Sequence, residues 1–486
     1  MTGRLRPYLF YDVALTICST CFRKLEGKIV FEDSRVYLLK RCPQHGPEKI
    51  LLADDVEYYR RCREVFIKPP EMPSRYNTPV RWGCPYDCGL CTDHEQHSCL
   101  SVVEICDACN LRCPVCYAES GPERQEFRSL EQIEFMLDAV VRNETNPDVV
   151  QISGGEPTIH PEFFKVLDLA KARPIRHLMI NTNGVRIAHE ESFVKRLAGY
   201  MPDLEVYLQF DSLERGPLEE LRGADLRRVR EQALERLNHH NISTTLVVTL
   251  RKGLNDGEIG RILDYALRQT CVRGVTFQPI QAAGRLEGFN PATDRLTLTE
   301  VRRKITEQSP VFRPEDILPV PCHPDSLAMA YALKIDGKVN PLTGMIDPKI
   351  LIEGGRNTIV FEDDESVRRG VFELFSTSHS PKSGAASLRD LLCCLPQLDA
   401  PANLTYENVF RILIIQFIDA YAFDVRSVKK TCIHIVHPDG RLIPFDTYNL
   451  FYRDALEQTR VAPLRQAAEA SAGAFIPVGE VGNARM

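Results

Sequence analysis

The chain has 486 residues, 44% of them hydrophobic and 26% charged, enough to bury large cores in about two to four domains. Lys+Arg 60 against Asp+Glu 66 leaves a net charge of −6 with no long run of one sign, so no nucleic acid is expected as a partner. The opening MTGRLRPYLFYDVALTICSTC is interrupted by Asp12 and offers no small-residue cleavage site, and the greasiest segment, Val409 to Phe423, falls short of the roughly 20 apolar residues that span a bilayer; a soluble, cytoplasmic protein is expected.

Residues 1–70 carry Cys18-x-x-Cys21, two alternating stretches (KIVFED and RVYLLKR) and then Cys42-Pro-Gln-His45. Two short knuckles about twenty residues apart, each at the end of a β-ribbon, can close one tetrahedral site for zinc or rubredoxin-like iron. Cys18, Cys21, Cys42 and His45 are the expected ligands, with Cys62 as the alternative to His45.

Residues 71–100 are rich in turns and cysteines, and Cys84, Cys88 and Cys91 stand at CxxxCxxC spacing. The segment has too little apolar content to order itself unaided. An auxiliary iron-sulfur cluster is expected, with zinc as the alternative and a fourth ligand from Cys99, Cys106, Cys322 or Cys432.

From 101 to 295 the pattern changes to short apolar runs separated by amphipathic stretches. SVVEI (101–105), VVQIS (149–153), HLMIN (177–181), EVYLQF (205–210), STTLVVTL (243–250) and GVTFQPI (274–280) read as strands. LEQIEFMLDAVVRN and EFFKVLDLAKA, with apolar residues recurring at three and four, read as the helices between them. Strand and helix alternating at this spacing predict a parallel α/β sheet, open or curving into a partial barrel. Residues 296–486 read as a C-terminal domain: PVFRPEDILPVPCHPDSL as a linker, 378–388 as a loop, NVFRILIIQFIDAY as an apolar helix, and the tail after about 465 as frayed.

A second CxxxCxxC, Cys109, Cys113 and Cys116, follows the first strand of the α/β region directly. A 4Fe-4S cube normally takes four thiolates, so three from one tight loop leave one iron open. The run Gly154-Gly155-Glu156-Pro157 ends the next strand; its glycines let backbone approach a ligand, and its carboxylate can pair with an ammonium. The triad alone also fits zinc. Cys106 is left over, as an auxiliary ligand or an inert strand residue.

Together these motifs resemble the radical S-adenosylmethionine superfamily over about residues 101–290. The resemblance implies a partial (β/α)6, TIM-like barrel. It also implies a 4Fe-4S cluster on Cys109, Cys113 and Cys116 whose open iron chelates S-adenosylmethionine, with Gly154, Gly155 and Glu156 at the methionine amine. Thr182, Asn183, Gln209 and Asp211, at later strand ends, would stand by the nucleoside; turn-forming residues are an equal reading for Asn183 and Asp211.

Nearly the whole chain, through CIHIVHPDGRLIPFDTYN, is similar to the group that contains the tetraether lipid synthase and pterin-methylating radical enzymes. That group carries further cysteines near the positions of Ser326 and Asp446, where this chain departs from its pattern. The similarity implies auxiliary clusters, a one-electron donor such as flavodoxin or ferredoxin, a lipid or small-molecule substrate, and hydrogen abstraction from an unactivated carbon. The reaction expected first is carbon-carbon joining of isoprenoid chains, with a tunnel lined by the Phe410–Phe423 segment and a peripheral membrane contact. The alternative is methyl transfer to a pterin-like or peptide substrate, with Trp82, Tyr86, Tyr448 and Asn449 as a pocket. A zinc scaffold without catalysis is the reading from another class.

Overall fold

The structure is a computed structural model that describes residues 6–335, 338–345, 352 and 408–472. The loop expected at 378–388 lies outside the described residues. The chain opens with an antiparallel meander, β1 (Leu9–Ile17), β2 (Lys24–Glu32), β3 (Arg35–Cys42) and β4 (Gly46–Ala53), followed by helix α1 (Val56–Glu64). Alternate burial of Ile29, Val36 and Leu38 against Ala14 and Tyr59 gives the ribbon its own small core. The turns β1–β2 and β3–β4 lie at one end of the meander and carry Cys18, Cys21, Cys42 and His45.

The main sheet begins with β5 (Leu100–Glu104). The short strand β6 (Val115–Cys116) follows, then α2 (Leu130–Glu144), β7 (Val149–Ser153), α3 (Phe163–Lys171), β8 (His177–Thr182), α4 (Val185–His189), α5 (Glu191–Ala198) and β9 (Leu204–Gln209). After these come α6 (Arg215–Arg222), α7 (Arg227–His239), β10 (Thr244–Leu250), α8 (Ile259–Arg268), β11 (Val272–Pro279), β12 (Arg285–Leu286) and α9 (Leu298–Gln308). β5, β7, β8, β9, β10 and β11 pair in parallel in chain order, so each crossover moves one strand along, as a partial barrel requires. All six expected strands form, within one or two residues of the sequence reading.

Period-two alternation divides these strands between two cores. Val103, Ile152, Ile180, Val206, Val248 and Phe277 pack outward beneath the helices. Val102, Met179, Tyr207 and Val247 face inward onto a core completed by later segments. Those segments are β13 (Leu318–Pro319), β14 (Leu327–Ile335), β15 (Lys338–Pro341), β16 (Val409–Ile415), β17 (Ile433–Val436) and β18 (Leu442–Pro444). β16 extends the sheet in parallel beyond β11, and β17 does so beyond β5.

Three expectations for this C-terminal part are corrected. The run NVFRILIIQFIDAY is not a helix: Val409–Ile415 is strand β16, held between β11 and antiparallel β14. A continuous apolar run reads alike for a buried helix and a strand buried on both faces, and here β-branched Ile412, Ile414 and Ile415 favour the strand. Ile414 is closed into the core, so the lipid tunnel loses its helix. The segment 310–327 is not a linker either; Phe312, Ile317, Val320 and Cys322 are buried in it. The tail expected to fray after about 465 is instead helical over its described residues, in Ala462–Ala472.

Candidate functional site

The triad loop leaves β5 at its carboxyl end and is tied down from three sides. Asp107 receives Arg124 at 3.0 Å and Arg128 at 3.3 Å. Val115 and Cys116 pair with β12, whose Arg285 donates to the Cys113 carbonyl at 2.7 Å and to Ser120 O at 2.5 Å. From β7, Gly155 N donates to Cys106 O at 2.8 Å and Glu156 N to Ala108 O at 2.9 Å.

This last contact adds a second demand on the glycines. A Cβ on Gly154, whose φ is +131°, would stand 2.3 Å from Cys106 O, and one on Gly155 would stand 2.2 Å from Ala108 O. What approaches closely is the cysteine loop itself. Cys106 is wholly buried; its thiol points at the carbonyls of Ala108 and Glu156 and is pushed up to about 12, chiefly by burial and then by the Glu156 charge, as befits an inert strand-end residue.

Glu156 is also buried. One carboxylate oxygen accepts from Thr158 N at 3.1 Å, Thr158 Oγ1 at 2.5 Å and Thr182 Oγ1 at 2.8 Å, and the other accepts from Asn183 N at 2.8 Å. Burial raises its pKa, and these donors hold the rise back. Asn183 also reaches Asn110 of the triad loop at 2.6 Å.

The triad and this carboxylate line one pocket, open to solvent, at the carboxyl ends of the strands. Ligands collect at such an end in parallel sheets. The inward position at the end of each strand is polar: Ser153, Asn181, Gln209, Thr249 and Gln278. Gln209 donates to Asn181 at 2.8 Å, which donates to Ser153 at 3.1 Å. Arg222, from α6, donates to Gln209, Thr249 and Asp211 at 2.9, 2.9 and 2.6 Å and stands beside the Cys113 thiol. Burial works against its charge, but Asp211 and Cys113 raise its pKa. The far wall is the stacked pair Phe417 and Phe445, ring centres 3.9 Å apart, with Tyr117 edge-on to Phe445.

Of the expected contacts, Gly154, Gly155, Glu156, Thr182, Asn183 and Gln209 line this pocket with the triad. Asp211 does not: it lies behind the wall, paired with Arg222 and Arg230. Trp82 and Tyr86 stand elsewhere, Trp82 against Glu469 and Tyr86 against Phe22. Asn449 holds the pocket residue Gln281 at 3.1 Å. Sequence reasoning missed Arg222, Asn181, Thr249, Gln278, Gln281, Phe417 and Phe445. A polar residue closing an otherwise apolar strand run (MIN, VVT, TFQ) was the signal for three of them.

Among the described residues, two groups gather three or more ligand atoms within 4.8 Å of one another. Cys18, Cys21, Cys42 and His45 form the first, while Cys62 stays on α1. Cys99, Cys322 and Cys432, three of the four cysteines expected to offer the Cys84 triad a fourth ligand, form the second. Cys84, Cys88 and Cys91 sit in a loop folded around Asp87, which accepts from Arg81 N at 2.6 Å and Gly83 N at 2.8 Å, and Cys88 lies against Thr447. Neither CxxxCxxC triad is packed as tightly as the ligands of one ion.

A family model described as the Radical SAM superfamily matches residues 103–266. The chain is also 30% identical to the 7,8-dihydro-6-hydroxymethylpterin dimethyltransferase of Methanocaldococcus jannaschii, over 93% of this chain and 96% of that one. The chain belongs to the radical SAM superfamily. A model of the HMPTM N-terminal zinc ribbon domain matches residues 10–54, where the first metal group stands. Within the superfamily, a GTP 3',8-cyclase of Pectobacterium atrosepticum is 25% identical over 46% of this chain and 68% of its own length. Among solved structures, SuiB of Streptococcus suis bound to S-adenosylmethionine superposes with a TM-score of 0.37 at 18% identity, covering 43% of this chain and 46% of SuiB. Radical SAM membership implies a 4Fe-4S cluster and S-adenosylmethionine, and a pocket offering three thiols of one loop beside a buried carboxylate and a guanidinium fits both groups. Among the described residues no helix is long and apolar enough to cross a membrane.

Proposed function

We propose that this chain methylates a pterin-like heterocycle. The observation that carries the reading is the near-complete overlap with the pterin dimethyltransferase of Methanocaldococcus jannaschii, at 30% identity. Carbon-carbon joining of lipid chains, expected first from the sequence, gains no support from the comparisons.

In this reading Cys109, Cys113 and Cys116 hold the 4Fe-4S cluster. The cluster and S-adenosylmethionine supply the one-electron chemistry that generates a carbon radical. Glu156, fixed by four donors, takes the methionine amine, and Arg222 offers its guanidinium to the carboxylate. Thr182, Asn183 and Gln209 form the wall for the nucleoside, and Asp211 positions Arg222. A flat heterocycle stacks on Phe417 and Phe445, while the amides of Gln278 and Gln281 read its polar edge. Burial on this wall keeps water from the reacting carbon. The Cys84, Cys88 and Cys91 loop holds an auxiliary cluster, and a flavodoxin- or ferredoxin-type protein delivers the electron.

The test is anaerobic turnover of the reconstituted protein with reductant, a reduced 6-hydroxymethylpterin and S-adenosylmethionine labelled in its methyl group. Label appearing in the pterin is the expected result. Deoxyadenosine formed with no label in the pterin would point to another hydrogen-abstraction reaction and overturn the reading.

A further inference from the structure

Arg222 enters the pocket from the last turn of α6, and that turn is fitted against the triad loop. Gly223 caps the helix at φ +78°, and a Cβ there would stand 3.0 Å from Arg112 O and 3.4 Å from Pro114 Cδ. Arg112 and Pro114 flank Cys113, so the close approach brings Arg222 beside that thiol. Nε and Nη2 of the guanidinium are spent on oxygens: Asp211 at 2.7 and 2.6 Å, Gln209 and Thr249 at 2.9 Å each. Among the described residues Nη1 has no oxygen acceptor.

The charges behind this wall do not cancel. Asp211 is wholly buried, with its backbone at φ +65°, and its carboxylate also accepts from Thr249 N at 3.1 Å. Arg230 stands 3.5 Å from the same carboxylate. Burial pushes the Arg230 pKa down only to about 10, so both guanidiniums stay charged at neutral pH and leave one positive charge over. The opposite side of the triad is negative, for Cys109 is raised by burial and then by the Glu156 carboxylate. Burial raises Cys113 too, but there Arg222 works the other way and favours the thiolate.

An iron-sulfur centre accepts an electron more readily where positive charge or an N–H donor stands by its sulfurs. A buried charge is little screened, so one guanidinium beside a ligand thiolate weighs heavily. We infer that Arg222, held in place by Asp211, is a positioning residue that raises the reduction potential of the 4Fe-4S centre on Cys109, Cys113 and Cys116. This role adds to the contact with the methionine carboxylate and rests on the triad holding the centre. Reduction takes one electron from a flavodoxin- or ferredoxin-type donor, forms and breaks no bond, and lowers the charge of the centre by one. Arg222 stabilises that added charge and Asp211 partly offsets it. Neutralising the two residues one at a time must therefore move the potential in opposite directions, whereas a merely structural pair would move it one way or not at all.

The test is a potentiometric titration of the anaerobically reconstituted full chain, followed by electron paramagnetic resonance and run without S-adenosylmethionine. The signal that belongs to the triad is the one that S-adenosylmethionine perturbs and that Cys109→Ala/Cys113→Ala/Cys116→Ala lacks. At a fixed potential Arg222→Gln should lower the reduced-to-oxidised ratio of that signal at least tenfold, about 59 mV for a one-electron couple. Arg222→Lys, which keeps the charge, should recover at least half of the shift. Asp211→Asn should raise the ratio at least threefold, with iron and sulfide equal to the parent. Should Arg222→Gln fail to hold iron, the rise in Asp211→Asn decides. A triad signal whose midpoint ignores both residues, or moves the same way in both variants, overturns the inference alone. A parent with no triad-dependent signal removes the cluster reading and this inference with it.

Discussion

At the scale of single residues, the glycines before Glu156 show how one requirement can imitate another. A double glycine after a strand reads as room for a ligand, yet the atoms a side chain would strike are Cys106 O and Ala108 O, backbone of the loop that carries the triad. Ligand and loop converge on the same strand end, so the pattern was legible while its immediate cause was not. Asp211 is a similar case: a carboxylate at a strand end points to a ligand in the sequence, but its charge is consumed by Arg222 and Arg230. The Gly155 contact makes a sharp prediction. In Gly155→Ala the new methyl group cannot coexist with Ala108 O, so the loop must shift and the preparation should lose about four iron and four sulfide per chain. Gly257→Ala, where the added carbon meets nothing within 4 Å, serves as the control and should keep its full content. Equal iron in the two variants would dismiss the idea that backbone contact builds the cluster loop.

At the scale of elements, the six barrel strands were legible because each is a short apolar run set off by amphipathic stretches, and the loops were legible because cysteines mark them. The C-terminal strands were not, since β16, buried on both faces like the others, opens an apolar run to Phe423 that is long enough to read as a helix. Nor could the sequence bring Cys432 beside Cys99 across so many residues; pairing of β17 with β5 does that, and Cys322 joins them from the β13–β14 turn. The same pairing region depends on a buried ion pair. Arg453 donates to both Glu104 oxygens at 3.1 and 2.8 Å and to Asn449, lashing the C-terminal segment to the first barrel strand. Burial opposes the Glu104 charge, but Arg453 overrides it and keeps that carboxyl below its ordinary range. Removing one partner strands the other without water, so Arg453→Met should destabilise by about 3–5 kcal/mol in denaturant titration. The double variant Arg453→Met/Glu104→Gln should recover part of that loss. A double variant as unstable as the single one would show that packing of the arginine stem, not the charge, is what matters.

At the scale of the whole molecule, the barrel is a container closed by its own C-terminal part. Phe417 and Phe445 wall the pocket at one end, and at the other, Leu327, Met329 and Ile415 fill the space inside Leu100, Val149 and Met179. Lys40 of the ribbon joins the parts, donating to Ile17 O, Ala420 O and Tyr421 O at 2.8, 2.8 and 3.0 Å. Deep in the barrel Glu205 binds Arg411 at 2.7 Å, His177 at 3.3 Å and the Thr245 hydroxyl, linking β9 to the late strand β16. Burial alone would raise this carboxyl from its usual 4.5, but Arg411 and His177 hold it at about 2. A carboxylate whose folded pKa is depressed favours the folded chain above its unfolded pKa, and the benefit disappears as pH falls toward the folded value. From 4.5 down to about 2 the difference amounts to about 3 kcal/mol. The parent protein should therefore lose stability steeply across that window, because β9 and the late strand β16 are held together by a group that takes up a proton there. Glu205→Gln should begin less stable at neutral pH and show a shallower decline below 4.5, as read from thermal unfolding midpoints. If both proteins fall with the same slope, acid unfolding starts elsewhere, and the Glu205–Arg411 link does not govern closure of the barrel.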